Sequence, residues 1–325
     1  MTEPILHDEP LVKAVNPVFR DFIPANEARR MGGIMKRAIV TALKVLADTG
    51  VEHPDAIITG TSIGSLDYTE KILIDMTENG EQALSPTLFM QSTHNTVGSS
   101  IAIYTKSHGY NTTYSHGQLS FDLALQDAWM QMQLGNIGTA LVGGHDEMVE
   151  DYFKLLRKTD YVGLEGLVPC GEVAMSMLLN TDESGDCLCE LAAIRVCRQS
   201  GDYDSTHVLD DMLNEADMTI QDISAVMMGT NGNVDNDHVY SELVNAFFPD
   251  KPLLHYKHLF GENFTASAFG IYAAAHCLKA GVIPDSLAPQ PPKGGVATQI
   301  KSILVVNQMN GTDVSFILLK NANGS

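Results

Sequence analysis

Three places in this sequence set chemically able side chains close together. Ser115 and His116 put a hydroxyl next to an imidazole. His145, Asp146 and Glu147 end an apolar run with an imidazole and two carboxylates, groups that bind metals or move protons. Cys187 and Cys189, with Cys197 close behind, supply thiols. Each place has a plainer reading. Neighbours on an extended chain point to opposite faces, so Ser115 and His116 make a poor nucleophile–base pair. The cysteines fall in an alternating run, Cys187 to Ala193, that predicts a strand, and no second CxxC or histidine pair completes a metal site. His94, His108, His238, His255, His258 and His276 show no ligand spacing either, so no metal and no cofactor is expected.

The elements that must position such groups come as a repeat. In the first half Met35, Ala38, Ile39, Ala42, Leu43 and Leu46 keep helical spacing up to Asp48-Thr49-Gly50. An apolar strand then runs into a glycine turn, Ala56-Ile57-Ile58-Thr59-Gly60-Thr61. In the second half Leu209, Met212, Leu213 and Ala216 keep the same spacing, and Ala225-Val226-Met227-Met228-Gly229-Thr230 repeats the strand and the turn. Phe121, Leu125, Ala128, Trp129 and Met132 predict another helix, ahead of a buried strand from Thr139 to Val142 that closes on Gly143-Gly144. Ala268, Ile271, Tyr272 and Ala275 predict a helix in the second half. Ile303 to Val306 and Phe316 to Leu319 predict late strands, and Pro284 to Gly295 a long surface loop. Asn16-Pro17 interrupts Val12 to Phe19, and nothing from Met1 to Arg20 reads as a strand. The expectation is a duplicated α/β fold with layered helices, its halves at 1–170 and 171–325 forming one compact unit, and one sheet lacking its first strand.

A chain of 325 residues, 44% hydrophobic, can bury a full core. Its 20 basic and 40 acidic side chains leave a formal charge of −20, which argues against nucleic acid and anionic membranes as partners. One basic cluster stands out in the sequence: Arg29, Arg30, Lys36 and Arg37. No run of about 18 apolar residues offers a transmembrane span. The first ten residues lack the basic-then-apolar pattern of a secretion signal, so a cytoplasmic protein with five reduced cysteines is expected.

The order of these landmarks resembles the thiolase superfamily, and within it the β-ketoacyl synthases, from Phe22 onward. Pro24 to Met31 resembles the lead-in to their first helix, and Gly60-Thr61-Ser62-Ile63-Gly64-Ser65 their GTGIGG turn. Leu84 to Phe89 is similar to the segment that meets the neighbouring subunit. Gly143 to Glu147 matches their GGxE strand end and Gly171 to Ala174 their GEGA. The resemblance implies a thiolase-like fold.

It also locates the catalytic positions, and these hold other residues. The family's nucleophilic Cys lies nine residues after the Gly of a Gly-Pro pair, at the start of a buried helix that favours the thiolate. Counting nine from Gly109 gives Gln118, whose amide cannot carry an acyl chain. The family's first His precedes the second Gly-Thr turn, where Met228 stands before the retained Gly229 and Thr230. Its second His follows a Lys-x-x-x-Gly pattern; Lys257 and Gly261 are kept, but Glu262 follows. A thioether donates no hydrogen bond, and an ionised Glu repels the charge of an enolate. The GFGG loop reads Gln308-Met309-Asn310-Gly311, and the second Thr of GTxT is Gly232.

The resemblance therefore implies a chain-length-factor-like subunit, not an enzyme on its own, that pairs with an active ketosynthase in fatty-acid or polyketide-type synthesis. Ile63, Leu88, Phe89, Met90 and Thr93 would shape the tunnel and interface, and an acyl-carrier protein would dock through the partner. Gln91 to Gly98 and Asn111 to His116 are similar to ketosynthase-like proteins of aryl polyene and flexirubin pathways. Two alternatives stand beside it. One is a homodimeric binder of an acyl or aromatic ligand. The other is a malonyl-carrier decarboxylase with Gln in place of Cys, a class that keeps both histidines.

Overall fold

Ala56–Gly60 and Ala225–Met228, the two apolar runs that precede the Gly-Thr turns, are strands with every residue buried. In this computed structural model they sit inside two separate sheets. Residues 7, 9–81, 84–159, 162, 166–182, 187–198, 205–288 and 300–322 are described.

The first half runs through α1 (Ala25–Ala28), α2 (Gly33–Thr49), β1 (Ala56–Gly60), α3 (Leu66–Asn79), α4 (Pro86–Ser92) and α5 (Thr96–Thr105). It continues with β2 (Tyr110–Tyr114), α6 (Ser120–Gln133), β3 (Thr139–Asp146), α7 (Glu150–Arg157) and β4 (Val173–Asn180), which lies past residue 170 yet pairs with β3 in the first sheet. The second half follows as β5 (Glu190–Arg198), α8 (Ser205–Glu215), β6 (Ala225–Met228), α9 (Val234–Phe247) and β7 (Leu253–His255). It ends with α10 (Lys257–Phe260), α11 (Ser267–Ala280), β8 (Ser302–Met309) and β9 (Asp313–Lys320).

Local chemistry sets several boundaries. Gly50, left-handed at φ 70°, stops α2. Pro86 starts α4 behind the Ser85 cap, whose hydroxyl accepts from the Leu88 N–H. Asn310 and Gly311, at φ 54° and 69°, turn β8 back into β9 within a three-residue connection that ends at Thr312.

The first sheet has the order β2-β1-β3-β4, and the second β5-β9-β8-β6-β7. In both, three parallel strands are followed by an antiparallel one. The series β1, β2, β3, β4 thus repeats as β6, β7, β8, β9. Among the described residues β5 lies beyond β9 and has no counterpart beyond β4, so there the first sheet is a strand shorter than the second. Leu11 to Val18 contributes only one bridge, from Leu11 to Cys170.

The layers follow from alternation along the strands. Ala56, Ile58 and Val142 from one sheet and Ala225, Met227 and Val305 from the other pack around α6 and α11 in a shared central core. Ile57 and Leu141 face α2 and α5. Val226 and Leu304 face α8 and α9. The result is the expected thiolase-like α/β arrangement of layered helices and sheets.

Two local readings need correction. The strand placed at Cys187 to Ala193 begins only at Glu190, leaving Cys187 exposed ahead of it. In the loop from Pro284, Leu287 is fully buried and its carbonyl accepts from the His255 N–H, because an apolar side chain anchors the loop against β7. Residues 289–295 lie outside the described residues. Among the described residues no helix is long and apolar enough to cross a membrane.

Candidate functional site

Gln118 sits in a single 3-10 turn between β2 and α6, buried to 9% exposure. The turn is tight against the β8–β9 hairpin: a Cβ on Gly117, itself at φ 50°, would lie 2.5 Å from the Met309 sulfur. The Gln118 carbonyl accepts from Asn307 Nδ2 at 2.9 Å, and the same amide donates to Asp122 Oδ2 at 2.9 Å. Asp122 also accepts from Ser267 Oγ at 3.1 Å, and Tyr240 Oη donates to Asn307 Oδ1 at 3.4 Å. Asn307 thus locks the Gln118 turn to α6, β8 and α9. Complete burial pushes the Asp122 carboxyl up to about 6, against the pull of its Asn307 and Ser267 hydrogen bonds. Asn307 and Asp122 escaped the sequence reading; the one available signal was a polar residue at the end of an apolar run and another inside an apolar helix stripe.

Glu262 is equally enclosed, at 2% exposure. Its two oxygens accept from Lys257 Nζ at 3.0 and 2.8 Å, and Oε2 also from Asn231 Nδ2 at 2.8 Å. A buried ion pair holds only when further hydrogen bonds satisfy it, and Asn231 supplies one. The backbone fixes the position: Glu262 N–H donates to Pro169 O and its carbonyl accepts from Gly171 N–H, both at 2.8 Å. Gly261, at φ 87°, comes so near that a Cβ would lie 3.2 Å from Gly171 Cα. Lys257 and Gly261 therefore position a buried carboxylate that Lys257 and Asn231 hold from inside.

Met228 is buried in the outer core of the second sheet with Val239, Tyr240 and Val306. Gly229 is required by crowding, since a Cβ would lie 2.7 Å from Tyr240 Oη and 3.0 Å from Tyr256 Oη. Thr230 shares a 2.6 Å hydrogen bond with His255 Nδ1, and burial lowers the pKa of that imidazole. Gln308 donates to Asn236 O and Oδ1 and accepts from Gly311 N–H, which ties the hairpin down.

The other candidates serve the scaffold. Ser115 Oγ donates to Ser62 O at 3.3 Å while His116 turns towards Asp313, 3.8 Å away. His145 is buried, neither ring nitrogen finds a partner, and desolvation lowers its pKa to about 3, so it is neutral. Asp146 accepts from Thr61 Oγ1 at 2.7 Å and from the N–H groups of Ser62 and Ile63, holding the glycine turn. Glu147 accepts from Asp67 N–H and lies 3.8 Å from Arg37, which is 3.4 Å from Glu172. Arg37 thus leaves the expected basic surface cluster: two buried carboxylates draw it inward. Among the described residues no three His, Cys, Asp or Glu side chains are arranged to hold a metal.

Of the tunnel and interface residues, Phe89 and Met90 stand out on α4 at 62% and 70% exposure, with Leu88 half-buried and Thr93 exposed. Ile63 packs elsewhere, with Leu11, Met148, Phe153 and Phe264. Among the described residues β2 has no partner on its outer edge. An open depression of about 570 Å³ runs beside it, lined by Ser99, Ile103, Asn111 and Thr113 among others.

A family model described as the β-ketoacyl synthase N-terminal domain matches residues 7–227. No curated protein sequence is similar enough to match. Among solved structures, the ishigamide ketosynthase/chain length factor superposes with a TM-score of 0.82 at 16% identity, over 95% of this chain and 87% of that one. A β-ketoacyl synthase from Burkholderia phymatum gives 0.73 at 15% identity, over 95% and 86%. A type II polyketide synthase acyl-carrier protein in complex with its ketosynthase bound to the hexaketide gives 0.73 at 12% identity, over 96% and 90%. At these identities the structures speak for the fold.

Proposed function

This chain belongs to the β-ketoacyl synthases, and we propose that it works there as a non-catalytic, chain-length-factor-like subunit of an active ketosynthase. The observation that carries the reading is the state of Glu262. Where the family's chemistry needs a neutral donor to an enolate, a buried carboxylate is held by Lys257 and Asn231. Gln118 adds to it, because an amide forms no thioester.

The partner's place is supported by the open edge of β2, the strand that leads to Gln118, and by the exposed Phe89 and Met90 on α4. A ketosynthase-type dimer is two-fold about that strand, so the active subunit continues the sheet and meets α4. Phe89, Met90 and Thr93 then bound the space in which the chain grows. The carrier protein docks on the active subunit. We assign the pair to aryl polyene-type synthesis in the cytoplasm, on the segments Gln91 to Gly98 and Asn111 to His116.

The test is co-expression with an intact ketosynthase. The pair is expected to co-elute on size exclusion, and bulky substitution at Phe89, Met90 or Thr93 to change product length. The chain alone is expected to take no acyl adduct by intact mass and to release no CO₂ from a malonyl thioester. Subunits that separate would favour the homodimeric binder, and a Gln118-dependent adduct or CO₂ release would favour the decarboxylase.

A further inference from the structure

All five cysteines of the chain are free thiols, and three of them are already engaged. Cys170 and Cys277 are buried among apolar side chains, and the Cys197 thiol donates to Val314 O at 3.6 Å. Cys187 and Cys189 stand two residues apart at the entry to β5.

Their placement suits reaction with each other. Residues two apart on an extended chain point to the same side. A straight strand sets their Cα atoms about 6.6 Å apart. That is close to the upper limit for a disulfide, about 6.8 Å. Here the chain bends at Leu188, which brings Cys187 and Cys189 nearer than a straight strand would. The two thiols differ in access. Cys187 is exposed, whereas Cys189 packs against the central core. Burial, with the neighbouring Cys187 and Glu190, pushes the Cys189 thiol up to about 12, so it is a poor first attacker. Lys279 Nζ donates to Cys187 O at 3.1 Å and holds a positive charge beside the exposed cysteine. Reactive cysteines sit in such electropositive, accessible surroundings.

We propose that Cys187 and Cys189 are a redox pair, which a low-molecular-weight disulfide such as oxidised glutathione converts reversibly into a Cys187–Cys189 disulfide. Cys187 gives up its proton and attacks one sulfur of the oxidant. The oxidant's S–S bond breaks, a mixed disulfide forms on Cys187, and one glutathione leaves with that proton. Cys189 then gives up its own proton and attacks the Cys187 sulfur, and the second glutathione leaves with it. The two protein thiols lose two electrons and the oxidant gains them. A disulfide that spans one residue is strained, and strained or exposed disulfides are readily reduced, so excess thiol returns the pair to its starting state. The inference depends neither on the catalytic positions nor on a partner subunit.

The experiment incubates the folded full chain with oxidised glutathione, caps the remaining thiols with iodoacetamide after unfolding, and maps the peptides by mass. The peptide spanning 187–189 is expected to lose two hydrogens and escape capping, while Cys170, Cys197 and Cys277 are capped. Dithiothreitol should reverse the change. Cys189→Ser should stop at the mixed disulfide, with one glutathione on Cys187. Cys187→Ser should slow oxidation of the segment by about ten-fold or more, because the buried thiol must then attack first. A lasting glutathione adduct on Cys187 of the unaltered chain overturns the proposal, since Cys189 would then be out of reach. So does a bond from Cys189 to Cys197 or Cys277, or a pair of thiols that stays reduced. If a serine variant fails to fold, the peptide map of the unaltered chain decides.

Discussion

A buried lysine and a buried glutamate depend on each other, and Lys257 with Glu262 shows the cost of parting them. Removing one partner of such a pair leaves the other charge desolvated, whereas replacing both with apolar groups of similar size is often neutral. Glu262→Ala is therefore expected to destabilise the fold by about 3–5 kcal/mol in urea unfolding, with Lys257→Met/Glu262→Leu close to the unaltered chain. Glu262→His, which would put there the residue that the resemblance to the family implies, should behave like the alanine variant because Lys257 stays unpaired. A Glu262→Ala variant of unchanged stability would mean that the pair is solvated. Asp122 gives the pH counterpart. Its folded pKa, about 6, lies above the 3.8 of a free Asp, so the folded state holds the proton more tightly. Its stabilising contribution is present below about pH 4 and is lost as pH rises through about 6. His145, lowered to about 3, works the other way, losing stability as pH falls below its unfolded value near 6.5. Comparison with Asp122→Asn isolates the first effect. Relative to that variant the unaltered chain should lose on the order of 1.4 kcal/mol per pH unit between pH 4 and 6, read from urea titrations. Parallel curves would place Asp122 in water.

Elements were legible where one physical rule dominates. Buried parallel strands are continuous apolar runs, so β1, β3 and β6 stand out, as do the helices that bury one stripe. β5 began late because Cys187 and Leu188 continue its alternation although Cys187 is exposed. Arg37 read as surface because the sequence does not show that Glu147 and Glu172, far along the chain, draw it inward. Those three side chains clasp the entering segment. Glu172 accepts from the N–H groups of Ala14 and Met148 and from Lys13, and Asn16 Oδ1 accepts from Arg37. Lys13 also donates to Met148 O. One carboxylate therefore fastens a stretch that lacks the strand's ladder of hydrogen bonds. Glu172→Ala should free residues 10–16 for rapid proteolysis and cost about 3 kcal/mol, since Arg37 keeps only the more distant Glu147. A variant cleaved no faster than the unaltered chain would show that apolar contacts of Leu11 hold the segment instead.

For the whole molecule, the repeat and the charge decide which surfaces meet partners. The order of glycine turns marked the duplicated fold in the sequence. The filling of the site was less legible: a lone Asn307 or Asn231 carries no sign of the bond it makes across the fold. Charge is legible directly, and it bears on the carrier protein. The family's carriers are acidic, and a chain at −20 repels them. The one basic cluster is weaker than its sequence suggests, since Arg37 is buried and Lys36 lies over the Phe19 ring, 5.1 Å from its centre. Arg29 and Arg30 remain exposed beside α4, whose Gln91 amide donates to Arg30 O. Two cations on a strongly acidic body make a poor dock when salt screens contacts beyond about 8–10 Å. The carrier is thus expected to bind the assembled pair and not this chain alone, as read by titration calorimetry at physiological salt. Arg29→Glu with Arg30→Glu should leave its affinity for the pair within about two-fold, because rim charges far from a docking site add little. Binding to the isolated chain, or a loss of affinity in that double variant, would move the carrier's dock onto this subunit and give it a part in selecting which acyl chain enters.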